Sequence, residues 1–477
     1  MNIEDLIALA PYLVLAMTSV IVMLSIAFYR NHKLTVFLTL AGFAIAAGSI
    51  GYASLVLPRE VTVLLIIDHF AFYYLGLILL AGFSVSMLAY SYLEKHQGHR
   101  EEFYLLVLLA AIGCAVLAAA THFASFFLGI ELLSVSLYGL AAYLRHNNRS
   151  VEAGVKYLIL AAVSSAFILF GMALVYAETG SMQFNDIAAR ATGPEVQSIP
   201  FLSGIGLIIV GIGFKLAVVP FHLWTPDVYE GAPAPVTALI ATMSKGAVFA
   251  LIVRYFMKIN MHQHMAIVVI VTLIAIASMF AGNLLALLQT NVKRILAYSS
   301  ISHVGYLLVT ILASGPLAAT AAAFYLTAYF ITTLGAFGVV TVLSDQLRDA
   351  DSIEDYQGLI WKQPWLGGVF SAMLFSLAGI PLTAGFVGKF YIIAASIGSA
   401  LWLVVFALVI SSVIGLYYYL RIVIAMFSDS VSNIGLAREI SRSSSIVLAT
   451  LTLLMIMIGV YPSPLIELIK VTVQRLI

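Results

Sequence analysis

The sequence predicts an all-α polytopic membrane protein of about 14 transmembrane helices, with two inverted five-helix repeats and broken helices 7 and 12. Three observations predict it. Of 477 residues, 62% are hydrophobic and 9% charged, whereas soluble domains run nearer half apolar and a quarter charged. The apolar residues fall into runs of about 20, the length that crosses a bilayer core. Two distant runs also repeat one another, each with a proline.

Hydropathy this high along the whole length leaves no room for a sizeable soluble domain. A net charge of +1 argues against nucleic acid, which needs a clustered basic surface. Cys114 is the single cysteine; alone it makes neither an intramolecular disulfide nor a thiolate cluster, and we expect it in the core or facing lipid. Iron–sulfur clusters and attached c-type haem are not expected within the chain. Met1 to Asp5 lacks the basic start and small-residue cleavage site of a signal peptide, so the first span is expected to remain as a helix. Walker, dinucleotide and bis-histidine haem patterns are all missing. The sequence reads as one that moves something.

Spans are expected near 7–29, 34–56, 70–92, 103–120, 121–144, 155–178 and 203–222. The second seven fall near 233–254, 265–286, 293–313, 318–343, 367–396, 401–420 and 444–463. Loops after odd-numbered helices hold fourteen Lys and Arg, and the opposite side six, Arg254, Lys258 and Arg475 among them. Basic loops face the cytoplasm, so both termini are expected outside. The sequon Asn148-Arg149-Ser150 then falls in a cytoplasmic loop and is dismissed. Three basic residues belong to neither side: Lys215, Lys245 and Lys389 lie within the membrane.

Phe214 to Pro220, FKLAVVP, matches Phe375 to Pro381, FSLAGIP, at an offset of 161. That offset carries helix 4 roughly onto 9, 6 onto 11 and 7 onto 12, so the repeat unit is five helices. An odd unit inserts its second copy upside down, the architecture of many secondary transporters. The expected division is 1–100 for helices 1–3, 101–260 and 261–430 for the two repeats, and 431–477 for helix 14. Pro220 and Pro381 should break their helices by removing a donor and crowding the carbonyls of Leu216 and Leu377. Kinked transmembrane helices are common without function, but two at matched places beside buried lysines point to a wet or polar site.

Glu131 lies mid-helix in an apolar run, where a carboxylate must be paired, protonated or facing water. Burial lowers a lysine pKa and a nearby carboxylate raises it. A buried lysine therefore holds or releases a proton according to where its partner is, as a proton relay requires. A structural ion pair could explain Glu131 with Lys215, but not the two further lysines. His222 and His303 are weaker relay candidates, each equally readable as a satisfied polar residue. Lys156 is either an i,i+4 partner of Glu152 or an entry point for cytoplasmic protons. Lys293 and Arg294 read as interfacial anchors. Asp227 and Glu230 read as a solvated external turn after helix 7.

Pro220 to Pro235, PFHLWTPDVYEGAPAP, resembles the most distinctive stretch of the antiporter-like subunits of complex I, Mrp-type antiporters and membrane-bound hydrogenases. Asn291 to Tyr306 resembles a second family block, and Leu377 to Phe390, LAGIPLTAGFVGKF, a third. The likeness spans about residues 100–430. It implies that Glu131 and Lys215 form a coupled pair, with Lys245 and Lys389 continuing a polar axis. Among the complex I branches, lysine at 389 and a chain ending soon after helix 14 favour the one without a long lateral helix. Helix 10 departs from the repeat by lacking a counterpart of Glu131, and Ser376 stands where Lys215 maps. The second half-channel is therefore expected to work with Lys389 and His303. What the resemblance implies is a proton-translocating subunit of NADH-quinone oxidoreductase in the bacterial inner membrane. Its partners would be the other membrane subunits and the NADH-oxidising arm, which hold NADH, FMN, iron–sulfur clusters and quinone; no cofactor or metal is expected in this chain. A subunit of a Mrp-type sodium–proton antiporter or membrane-bound hydrogenase is the alternative, and a non-transporting scaffold a third.

Overall fold

The structure, a computed structural model, describes residues 2–96, 98–190, 198–258, 265–313, 315–346, 348–428 and 440–474. Among the described residues thirteen helices are long and apolar enough to cross a membrane, and two shorter apolar helices, Pro364–Ala378 and Ala384–Gly398, together make another crossing. In chain order, helices 1 to 6 are Ala10–Phe28, His32–Ala53, His69–Glu94, Glu101–Ala119, Phe123–Ala141 and Asn148–Thr179. Helix 7 is split into 7a (Ile199–Leu216) and 7b (Trp224–Gly231), and helix 8 runs from Ala234 to Lys258. Helices 9 to 11 are Met265–Leu287, Val292–Leu312 and Pro316–Leu343. Helix 12 comprises 12a (Pro364–Ala378) and 12b (Ala384–Gly398), followed by helix 13 (Trp402–Phe427) and helix 14 (Arg442–Val460). All fourteen expected crossings are present. Helix 6 starts seven residues before its expected 155, because the Asn147 side chain caps it at Arg149 N. Short polar N-caps recur, with Asp68, Asn291, Thr383 and Ser441 each accepting from a backbone amide of the first turn, which satisfies donors a helix start leaves free.

Helices 8, 10 and 11 form the interior. All of the apolar window of helix 8 is buried, and 94% and 89% of those of helices 10 and 11, against a third for helices 1, 2, 9 and 14. Helices that are apolar on every side belong in such a position, and the rest expose apolar faces to lipid or to neighbours. Cys114 is fully buried, and its thiol donates to Met243 O at 3.6 Å. A small antiparallel hairpin (β1, Arg59–Thr62; β2, Leu65–Ile67) follows helix 2, and a final helix, Ser463–Gln474, packs on helices 11 and 3.

Both breaks occur ahead of the prolines. Helix 7a ends in a left-handed residue, Ala217 (φ 61°), with Val218 N–H returning to Gly213 O at 3.0 Å. Helix 12a ends one residue later in register, at Gly379 (φ 86°), with Ile380 N–H returning to Phe375 O at 3.0 Å. These are Schellman ends, which turn the chain out of the helix while satisfying its last carbonyls. The prolines lie in the segments that follow and prevent the helix from resuming. Helix 8 carries a third irregularity, a π-helical stretch over Ile240–Ser244, directly before Lys245.

Two sequence expectations are corrected here. Asp227 and Glu230 are not in an external turn: they pair with Lys156, Arg149 and Arg294, which belong to the cytoplasmic ends of helices 6 and 10. Half-helix 7b carries the chain onward past the break, so the loop after helix 7 emerges on the side of every other odd loop. Arg254 is not a solvated loop residue either; it is 1% exposed at the end of helix 8. Its guanidinium donates to both Asp68 oxygens at 2.8 Å and to Ala118 O at 3.1 Å. Arg438 and Arg475, both counted in the loop charges, lie outside the described residues.

Candidate functional site

Glu131, Lys215 and Lys245 sit midway along their crossings, and Lys389 lies in the second half of helix 12. Glu131, on helix 5, is half-buried beside the exposed Leu128 and Val135, so its carboxylate lies at the edge of an outward face. The Ser165 hydroxyl of helix 6 donates to it. Lys215 is buried at the last turn of helix 7a, where the negative end of the half-helix dipole favours a cation. Its ammonium donates to Ser134 Oγ at 2.6 Å, and Ser134, one turn beyond Glu131, donates on to Ile130 O at 2.7 Å. Glu131 and Lys215 are thus each held by a serine of their own, Ser165 and Ser134, and do not meet in an ion pair.

Lys245 follows the π-helical stretch, an irregularity frequent at functional sites. Its amine donates to Ser300 Oγ of helix 10 and lies 5.6 Å from the Tyr229 ring centre. Helix 10 then presents His303, whose two nitrogens meet Tyr325 Oη at 2.6 Å and Tyr419 Oη at 3.1 Å. A neutral imidazole has one donor and one acceptor nitrogen. One tyrosine therefore donates to the ring while the other accepts, and exchange of tautomers reverses both. Tyr419 also bonds Ser299.

Lys389, in helix 12b, reaches back across the break. Its ammonium donates to Leu377 O at 3.1 Å, Ala378 O at 2.8 Å and Ser412 Oγ at 2.8 Å, and lies 5.3 Å from the Tyr306 ring centre. Here the freed carbonyls of helix 12a find their polar partner. The arrangement also accounts for the mismatch at Ser376. Each broken crossing has an ammonium at the C-terminal end of its first half-helix, Lys215 from within that half-helix and Lys389 from the next. Gly385 allows this closure, because a Cβ there would collide with Ser376 O.

The weaker candidates separate. Lys156 bonds Glu152 at 2.8 Å and also Asp227 at 2.9 Å, and stays partly exposed at the cytoplasmic end. His222 is buried between helices 7a and 7b, and neither ring nitrogen makes a hydrogen bond; Thr225 Oγ1, one turn on, is likewise without one. Lys293 was expected as an interfacial anchor and is instead wholly buried. Its amine donates to Asp349 at 2.6 Å and to the carbonyls of Glu230 and Ala232 at 3.0 and 2.6 Å, closing the end of helix 7b. Sequence reading named Lys293 but not its partner Asp349. The signal available was the run of four aspartates, Asp345, Asp349, Asp351 and Asp355, in the loop after helix 11.

Fold and site define a polytopic membrane protein with two broken helices and a mid-membrane row of charged side chains. The chain belongs to the NADH:quinone oxidoreductase/Mrp antiporter transmembrane family, whose description matches residues 120–415. It is 49% identical to NADH-quinone oxidoreductase subunit N of Ectopseudomonas mendocina, over 98% of this chain and 96% of that one. Among solved structures it resembles a chain of respiratory complex I from Thermus thermophilus with bound aureothin, at TM-score 0.81 and 31% identity over 96% and 98% of the two chains. A chain of the Mrp complex from Dietzia sp. shares the fold at TM-score 0.87 and 21% identity, over 100% of this chain and 98% of that one.

Proposed function

We propose that this chain is a non-redox membrane-arm subunit of NADH-quinone oxidoreductase that translocates protons, driven by quinone reduction in other subunits. In this reading NADH, FMN, iron–sulfur clusters and quinone belong to those partners, and residues 101–260 and 261–430 form two half-paths. One observation carries it. Among the described residues, Lys215, Lys245 and Lys389 have no carboxylate within ion-pairing distance, whereas the buried Arg254 and Lys293 each have one. A charge kept in hydrocarbon for packing is paired. Lysines held by hydroxyls and carbonyls alone can exist in either protonation state without leaving a carboxylate stranded, as proton carriers require.

Glu131, at the edge of the bundle, is the group through which a neighbouring subunit acts on Lys215. Drawing the carboxylate towards or away from the amine alters what a positive charge costs there, and the proton passes along Lys245, His303 and Lys389. Each charge moved across the field requires about 2.3 kcal/mol per 100 mV. Lys156 and His222 are the cytoplasmic-side relay candidates, and Pro220 and Pro381 hold the breaks open.

The test is Lys215→Met in the complete complex, in sealed vesicles, with proton uptake and NADH–quinone electron transfer measured together. Protons moved per electron should fall in complexes that assemble normally. An unchanged ratio would overturn the reading. Transport that requires sodium and is indifferent to NADH would point instead to the Mrp-type alternative.

A further inference from the structure

The cytoplasmic side holds a cavity of about 1130 Å3, open to solvent. It is lined by the ends of helices 3 and 4 and by the loops after helices 3, 5, 7 and 11. Ligand sites commonly occupy about 300–1,000 Å3, so this bowl has room for a molecule of nucleotide size. Its walls carry both signs of charge, yet the two signs are satisfied unequally.

The four wall carboxylates are all engaged. Glu102 accepts from Arg30 at 2.7 Å, Glu230 from Arg294 at 2.8 Å, Asp349 from Lys293 at 2.6 Å and Asp351 from Asn291 at 2.9 Å. Of the four wall arginines only Arg348 is matched, through both nitrogens to Asp355. The Arg145 guanidinium makes no hydrogen bond or ion pair among the described residues. Arg149, with a side chain 69% exposed, reaches Glu230 and Asp351 only at 3.8 and 3.7 Å. Arg100 is aimed by the carbonyls of His96 and Glu94, at 2.9 and 3.3 Å, and has no carboxylate at ion-pairing distance. His146 and Asn148, between Arg145 and Arg149, add side chains that likewise bond nothing among the described residues. A face that merely met water would leave both signs open alike. Saturated acids and spare guanidiniums around one cavity are what an anion requires.

We propose that this bowl binds a phosphate-bearing ligand with at least two negative charges, gripped by Arg100, Arg145 and Arg149. Three like charges converge there, and a singly charged anion would leave much of their repulsion in place. The planar guanidinium fork matches phosphate oxygens two at a time. Gly231 and Pro233 form part of the lining, which sets the bowl over the start of helix 8, the wholly buried helix. A soluble phosphate ester enters there directly, whereas a lipid headgroup must leave the edge of the bundle to do so. By bridging Arg100 to Arg145 and Arg149, the ligand fastens the loop after helix 3 to the loop after helix 5. Binding of this kind is independent of whether protons cross the membrane.

The probe is labelled inorganic pyrophosphate, in equilibrium dialysis against the purified whole complex. Arg145→Gln and the double variant Arg145→Gln/Arg149→Gln are measured beside the parent. Affinity should fall by roughly tenfold for each arginine removed, the scale of one charge-assisted hydrogen bond. Any site on another subunit is common to all three complexes, so the difference isolates the bowl. Electron transfer from NADH to quinone checks assembly. Arg145→Gln removes no contact within the chain and suffices if the double variant does not assemble. Repeating the dialysis in phosphatidylcholine bilayers with and without phosphatidic acid separates the two sources of phosphate. Binding indifferent to phosphatidic acid supports a soluble ligand, and binding displaced by it supports a headgroup at the same arginines. Equal affinity of parent and variants, or no binding by any of them, overturns the inference.

Discussion

Three lysines of one residue type hold their charge in different ways, and this predicts different consequences for the same substitution. Lys389 satisfies two backbone carbonyls and a hydroxyl, whereas Lys245 donates to one hydroxyl, which can turn to another acceptor. A buried acceptor left without a donor costs about 1–3 kcal/mol. Both Lys389→Met and Lys245→Met should lose pumping, but only Lys389→Met should lower the thermal unfolding temperature of the purified complex markedly. Equal melting of the two variants would show that the carbonyls of helix 12a do not depend on the amine. Glu131 and the three lysines are legible in the sequence because a charge inside an apolar run is conspicuous. Lys293 is not. It stands at a helix end, where a charge usually meets water, and is buried only because helix 7b folds back over it.

At the scale of elements, the breaks are built by local backbone geometry that the prolines only maintain. Ala217 adopts a left-handed conformation that suits glycine, the residue at the corresponding end of helix 12a. An L-residue there costs about 1–2 kcal/mol. Ala217→Gly should therefore raise stability by up to about 1 kcal/mol, once the greater freedom of unfolded glycine is set against it, and leave pumping intact. Gly385→Ala has the opposite sign. The added methyl meets a backbone oxygen that cannot move aside, and overpacking of this kind costs about 1–3 kcal/mol. Denaturation of the two variants beside the parent checks both, and a neutral Gly385→Ala would mean that helices 12a and 12b can separate without strain. The matched prolines announce breaks in helices 7 and 12, yet the ends fall earlier, because a Schellman turn terminates a helix wherever its left-handed residue lies. The π-helical stretch before Lys245 has no signature in IATMS.

Across the whole molecule, ion pairs fasten the helices at both surfaces and leave the middle unpaired. On the external side Arg254 joins helix 8 to helix 3 through Asp68, at the helix 4 terminus, and lies 4.8 Å from the Phe70 ring centre. Removing one partner of such a buried pair strands the other, at about 3–5 kcal/mol. Arg254→Ala should consequently reduce the amount of assembled complex in the membrane, with Arg254→Lys intermediate because it lacks the fork. Wild-type levels of Arg254→Ala, measured by immunoblot of native gels, would rule this out. On the cytoplasmic side Asp227 and Glu230 each bind helix 6 to helix 10, Asp227 through Lys156 and Arg294 and Glu230 through Arg149 and Arg294.

What the sequence determined by itself is whatever depends on the solvent each residue must meet. Apolar length sets the crossings, basic loops set their orientation, and an uncompensated charge in hydrocarbon marks the site, because the bilayer exacts each of these locally. What only the tertiary structure decided is how distant groups satisfy one another. That Lys389 closes helix 12a and Lys293 helix 7b, that Arg254 is buried, and that Asp227 faces the cytoplasm all depend on contacts between residues far apart in the chain. No local pattern encodes them, since each is a property of the pair and not of either residue.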